Sequence, residues 1–265
     1  MRNFFSFSSG AIIGSLGGLI GLGGAEFRLP LLVGFFGFAT LNAVIINKVI
    51  SLSVVLFSLL FRSHTIGFDE ILPHTFTIIN ILIGSLFGAY IGANYAMKIK
   101  QEFLNKIILI LLIILALSML FGHNYLIAGN PLFENKIVLF VSGVIAGVLI
   151  GIIAAVLGVA GGEFIIPTLI LLFGMDPKLA GSISLCISLP TMIMAFSRYS
   201  KSEQFKQIIN EKVFMIYMIF GSLIGALIGS LLLQYVNSQY IALILGCILF
   251  ISAWKVFKVQ HLKNS

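Results

Sequence analysis

The chain has 265 residues, of which 59% are hydrophobic and 9% charged, with a net charge of +7 and a mean hydropathy of +1.13. A soluble domain carries roughly 25% charged residues because its surface meets water, so this composition excludes one and points to a surface that meets lipid. The positive charge does not point to nucleic acid, because the basic residues fall in separate short loops of a polytopic pattern.

In chain order, apolar stretches near or above the roughly 20 residues needed to cross about 30 Å of hydrocarbon are predicted at 4–22, 41–61, 73–96, 103–121, 136–158, 179–197, 211–234 and 239–257. Two shorter pieces, 27–37 and 164–174, are too short to cross alone. Backbone groups in lipid must be satisfied within the segment, so these are helices; the short alternating strands of a barrel are absent. Arg2 and the run ending in Gly23-Gly24-Ala25 have the outline of a cleavable signal peptide. The same pattern recurs deep in the chain, which favours reading it as part of the protein.

Basic residues cluster at Lys98, Lys100 and Lys106, then at Arg198, Lys201, Lys206 and Lys212, and at Lys255, Lys258 and Lys263, while 123–135 and 235–238 are almost free of them. Cys186 and Cys247 lie inside apolar segments with neither a disulfide framework nor metal-ligand spacing. His64, His74, His123 and His261 are scattered. No catalytic constellation, metal site or cofactor motif emerges, and an enzyme is not expected.

The most informative feature is an internal repeat. At an offset of 137 residues, the spacing from Pro30 to Pro167, Gly10 meets Gly147, Gly14 meets Gly151, Gly21 meets Gly158 and Gly24 meets Gly161. Glu26 meets Glu163, Ser51 meets Ser188, and Gly84, Gly88 and Gly92 meet Gly221, Gly225 and Gly229, all without a gap. The expected fold is therefore an all-α integral membrane protein of two homologous helical repeats, 1–125 and 136–265. Each opens with a glycine-broken helix, 4–37 or 136–174, followed by three spanning helices.

Charge sets the expected orientation. The basic 98–106 loop corresponds to 235–238, which has no basic residue, and the basic 198–212 loop corresponds to 61–73, where Arg62 stands against Asp69 and Glu70. The opposite bias implies inverted repeats. Inversion needs an odd number of full crossings, so each broken segment enters and leaves on one side. A first arm that simply spans would instead give parallel repeats. Counting crossings puts both termini in the cytoplasm of a cell with an inner membrane.

Breaks at Gly21, Gly23, Gly24 and Pro30, and at Gly158, Gly161, Gly162 and Pro167, bring half-helix ends and their partial charges into mid-membrane. Such matched interruptions are the sequence mark of a transport site. The four-residue glycine spacings of 84–92 and 221–229 fit close helix packing instead. Glu26, Arg28, Lys48 and Glu163 are charges within or beside apolar segments, costly unless paired or hydrated. Arg28 and Lys48 face Ile165 and Leu185 in the second repeat. One basic side chain can neutralise Glu26 and leave the other for an anion; a structural ion pair is the rival. The glutamates are also candidates to carry a coupling proton. Asn47 and Ser51 share a helix face beside Lys48, and Ser184 and Ser188 repeat that spacing, with Ser182 close by.

The runs Gly21-Leu-Gly-Gly-Ala-Glu-Phe-Arg-Leu-Pro30 and Gly158-Val-Ala-Gly-Gly-Glu-Phe-Ile-Ile-Pro167, each followed by Ala43 or Ala180, resemble the sulfite exporter TauE/SafE family over essentially the whole chain. The resemblance implies a multi-pass transporter of sulfite, thiosulfate, sulfonates or related anions. After the alanine the chain departs from the family's small-residue and Thr-Ser cluster, with Val44-Ile45-Ile46-Asn47-Lys48 in one copy and Gly181-Ser182-Ile183-Ser184 in the other. The expected function is secondary active transport of a small anion, a sulfur oxyanion or organosulfonate. Arg28, Asn47, Lys48, Ser51, Ser182, Ser184 and Ser188 would bind it, and Glu26 and Glu163 would couple or gate. One half rocking against the other would give alternating access. The partners are the anion, the lipid bilayer and a coupling proton or other ion, with a homo-oligomer compatible. The alternatives are a cation transporter using both glutamates and a non-transport membrane subunit.

Overall fold

The computed structural model describes residues 2–38, 40–95, 131–157, 159–200, 208–241 and 243–247, with the positions 110, 113, 117, 205, 250, 251 and 254. Among them the chain is helical and has no strand. The first part comprises α1 (Arg2–Ile20), α2 (Ala25–Gly34), α3 (Thr40–Arg62), the short α4 (Phe68–Ile71) and α5 (Thr75–Tyr95). The second comprises α6 (Lys136–Leu157), α7 (Gly162–Phe173), α8 (Pro177–Tyr199) and α9 (Lys212–Leu232). Six helical stretches, within α1, α3, α4–α5, α6, α8 and α9, are long and apolar enough to cross a membrane. The segment expected at 103–121 falls mostly outside the described residues and that at 239–257 partly, while Lys98, Lys100, Lys106, Lys201 and Lys206 of the basic loops lie outside them.

The offset of the sequence repeat carries over to element ends. Shifted by 137 residues, 40–62 becomes 177–199 and 75–95 becomes 212–232, the bounds of α8 and α9. The expected broken segments are each two helices, α1 with α2 and α6 with α7. They part where left-handed backbone is required: φ is 92° at Gly21, 80° at Gly23, 74° at Gly24 and 82° at Gly161, a region that penalises any Cβ. The 61–73 loop is shorter than expected. Thr65 and Ile66 donate amides to the Arg62 carbonyl, and α4 follows with Asp69 and Glu70 in its first turn, where a helix favours acids. A 3-10 turn, Leu72–His74, then leads into α5.

Packing does not follow sequence order. Helix α1 lies along α9, and α5 lies along α6. Both pairs run parallel, because Gly10, Gly14 and Gly18 meet Met218, Ser222 and Ala226 in that order, and Gly84, Gly88 and Gly92 meet Val144, Val148 and Ile152. Arg2 on Glu211 at 2.7 Å ties the two starting ends of the first pair. The glycine stripes explain the closeness: a Cβ at Gly225 would collide with the Ala11 carbonyl, and one at Gly88 with the Val148 carbonyl. Helices associate in lipid through such packing, since water supplies no drive there. At the centre α3 and α8 cross antiparallel: Arg62 at the end of α3 reaches Lys178 at the start of α8, and Val55, Leu185 and Met192 share one apolar cluster.

Gly225→Leu should destabilise the protein by at least the upper end of the about 1–3 kcal/mol that overpacking costs, because backbone cannot move aside as a side chain can. Gly34→Ala, where a Cβ meets nothing within 4 Å, should be neutral or stabilising. Thermal unfolding of the two variants in one detergent makes the comparison.

Candidate functional site

The broken helices meet at the centre. Gly162, the first residue of α7, packs against Gly21 and Leu22, with its would-be Cβ 3.1 Å from Leu22 Cα, and that of Gly23 lies 3.8 Å from Ala160 Cβ. The N-caps of α2 and α7 are Gly24 and Gly161, and neither helix has a side-chain cap. Helix α8 shows the contrast: its N-cap Asp176 accepts from the amides of Lys178 and Leu179. The first amides of a helix have no partner within it and carry its positive end. Two such ends therefore face the contact between the broken segments.

Around this contact three basic side chains are almost fully enclosed: Arg28 at 0% exposure, Lys48 at 1% and Arg62 at 1%. Arg28 projects from α2. Its Nη1 donates to Ser51 Oγ at 2.8 Å and Asn47 Oδ1 at 3.3 Å, and its Nη2 to the Gly23 carbonyl at 3.4 Å and Ser222 Oγ at 3.5 Å. Asn47 Nδ2 in turn donates to the Ala25 carbonyl at 3.0 Å. A planar fork with several donors suits this multi-point work in a way an ammonium does not. Arg28, Asn47 and Ser51 of the expected binding set thus form one cluster, joined by Ser222, which sequence reasoning missed.

The others go elsewhere. Lys48 Nζ donates to the Ala155 carbonyl near the end of α6 at 3.2 Å. Ser182 Oγ accepts from Arg62 Nε at 3.0 Å, and Ser184 Oγ donates to the Gly21 carbonyl at 2.7 Å. Ser188 is buried with no hydrogen-bond partner for its hydroxyl. The repeat accounts for that: Ser51 corresponds to Ser188, but Arg28 corresponds to Ile165, which has nothing to donate. Glu163 is buried in the first turn of α7. Helix α7 continues through Pro167. The side chains of Glu26 and Pro30, and Gly158 altogether, lie outside the described residues. Among the described residues no three His, Cys, Asp or Glu gather to hold a metal.

Arg62 is the main residue that sequence reasoning misplaced. It is not a loop charge. Its Nη1 donates to the Gly18 and Leu19 carbonyls at 2.8 and 2.7 Å, and its Nη2 to the Lys178 carbonyl at 2.7 Å. Gly18 and Leu19 close α1, whose last carbonyls have no partner within the helix, so the guanidinium meets the negative end of the dipole. Lys48 does the same for α6. One helix, α3, thus supplies cations to the C-terminal ends of α1 and α6, from positions about 21 Å apart along its axis at 1.5 Å per residue. The one readable signal was that Arg62 directly continues an apolar run.

Long apolar helices, two interrupted segments in contact, and buried charges held at their ends define a multi-pass membrane transporter. The chain belongs to the family described as Sulfite exporter TauE/SafE, which matches residues 2–119 and 140–264. No curated protein and no solved structure matches it.

The two serines of the repeat should respond differently to truncation. Ser51→Ala strips an acceptor from a buried guanidinium and should cost about 1–3 kcal/mol. Ser188→Ala removes a buried hydroxyl that bonds to nothing and should be neutral or stabilising. Arg62→Gln should lower the unfolding temperature more than either, because it deprives several buried carbonyls of their donors at once. Scanning fluorimetry of the detergent-solubilised variants ranks all three.

Proposed function

We propose that the protein is a secondary active transporter of a small anion, a sulfur oxyanion or organosulfonate, bound where the two broken segments meet. The observation that carries this reading is the contact of two glycine-capped segment ends, Gly21–Leu22 leading into α2 against Gly162 of α7. Helix N-termini bind anions through their amides and dipole, and half-helix N-termini do so in transporters with related halves. Charge adds to the case. Arg28, Lys48 and Arg62 outnumber Glu163 in the interior, and Glu26 in α2 would still leave an excess of one positive charge. That excess disfavours the cation reading.

The antiparallel crossing of α3 and α8, equivalent helices of the repeat, supports inverted halves, since an axis normal to the membrane would leave them parallel. In this reading Arg28 holds the start of α2 to α3, Lys48 and Arg62 neutralise the opposite helix ends, and the glutamates are placed to carry a coupling proton. The membrane is the inner membrane, with both termini cytoplasmic.

The test is flux of labelled sulfite, thiosulfate and a small sulfonate in liposomes, with and without an inward proton gradient. Saturable, gradient-dependent flux is expected, falling at least tenfold in Arg28→Gln and Lys48→Ala. The absence of flux for all three anions from folded protein would remove the reading. Flux of a cation that needs both glutamates and neither Arg28 nor Lys48 would replace it.

A further inference from the structure

We infer that the rigid units of this transporter are not its two sequence repeats but two bundles that have exchanged their last helices: α1, α2 and α3 with α9, and α6, α7 and α8 with α5. The inference rests on the transporter reading and concerns which parts move.

Packing carries it. Helix α5 follows α3 in sequence, yet its main partners are α6 and α8 of the other repeat. Helix α9 likewise packs on α1 and α3, and among the described residues makes no comparable contact with α6, α7 or α8. Glycine stripes bring the backbones of α1 and α9 together, and those of α5 and α6, with no side chain between them to yield. A helix pair joined by such contacts over its whole length moves as one body, because the packed backbones have no alternative arrangement close by in energy.

Polar contacts fasten each bundle internally, and a second set crosses from one to the other. Within the first bundle, Arg28 joins α2 to α3 and to Ser222 of α9, Ser6 Oγ of α1 donates to the Phe214 carbonyl of α9 at 3.0 Å, and Thr65 Oγ1 donates to the Ser230 carbonyl at 3.4 Å. Within the second, Ser85 of α5 pairs with Thr191 of α8 at 2.8 Å. Ser85 and Ser222 are equivalent residues of the repeat, so the same position fastens the exchanged helix in both bundles. Between the bundles lie the α3–α8 crossing, the point contacts of Gly162 with Leu22 and of Gly21 with Gly181, and the bonds of Arg62 to Lys178 and Ser182, Ser184 to Gly21, and Lys48 to Ala155. The proposed anion position sits on this seam. Motion along the seam opens the site while leaving both glycine interfaces intact. Rocking of one sequence repeat against the other would instead tear both of them.

The two motions differ in which helix pairs keep their distance. In a background of Cys186→Ala and Cys247→Ala, spin labels are placed on lipid-facing positions through Ile12→Cys on α1, Ile224→Cys on α9 and Ile83→Cys on α5; the native side chains are 66%, 47% and 52% exposed. Distances are read by pulsed electron resonance in lipid nanodiscs at acidic and alkaline pH, with and without sulfite. The 12–224 pair, which joins the two repeats, should give one unchanged distance throughout. The 12–83 pair, inside one repeat, should shift by several ångströms between conditions. A shift of 12–224 with 12–83 constant overturns the proposal in favour of rocking repeats, and no shift in either pair overturns it as well. The anion reading fails separately: absent flux with a pH-driven shift of 12–83 removes the anion and keeps the bundles.

Discussion

A helix that ends in the interior of a protein leaves carbonyls with nothing in the helix to donate to them, and the rest of this structure is arranged around that constraint. Away from water an unsatisfied backbone group is costly, so α1 and α6 can end where they do only if something donates to their last turns. Helix α3 does this for both, with Arg62 on Gly18 and Leu19 and with Lys48 on Ala155. Burying those cations is itself expensive, and the helix ends they meet offset the cost because full hydrogen bonding accompanies the charge. Cation and broken helix are conditions for one another. Once the C-terminal ends are neutralised, the glycine-capped N-termini of α2 and α7, which have no side-chain cap, remain where the two segments meet.

The repeat is symmetric in backbone and asymmetric in charge. The bounds of α3 and α5 coincide with those of α8 and α9 at the offset, yet Arg28, Lys48 and Arg62 face Ile165, Leu185 and Tyr199. The first copy holds the donors, and the second supplies several of their acceptors: Ala155, Lys178, Ser182 and Ser222. The unpartnered hydroxyl of Ser188 marks a repeated position whose second copy has Ile165 where the first has Arg28.

Much of the scaffold could be read from the sequence because its determinants are local. Apolar run length placed α3 and α8, and glycine clusters marked where α1 and α6 end, since left-handed backbone needs glycine whatever surrounds it. The pairing of Asn47 with Ser51 on one face of α3 was also within reach, because a helix face is a matter of spacing. Arg62 was not. A basic residue at the end of an apolar run reads as a solvated loop charge, and only the arrival of α1 and α8 from elsewhere makes it a buried hub. Nor could the helix exchange be read, because all the glycine stripes share a four-residue period and the pattern does not say which stripe meets which.

Pairing α1 with α9 also sets a timetable for biogenesis. Ser6 bonds to Phe214, 208 residues further along, and ribosomes add roughly 5–20 residues per second. The first helix therefore spends about 10–40 s in the membrane before its partner exists. During that interval its row of glycines faces lipid or the insertion machinery, with nothing to fill the groove. The α1–α9 pair forms only once α9 has been inserted, and a ribosome that stalls short of α9 leaves that face of α1 open.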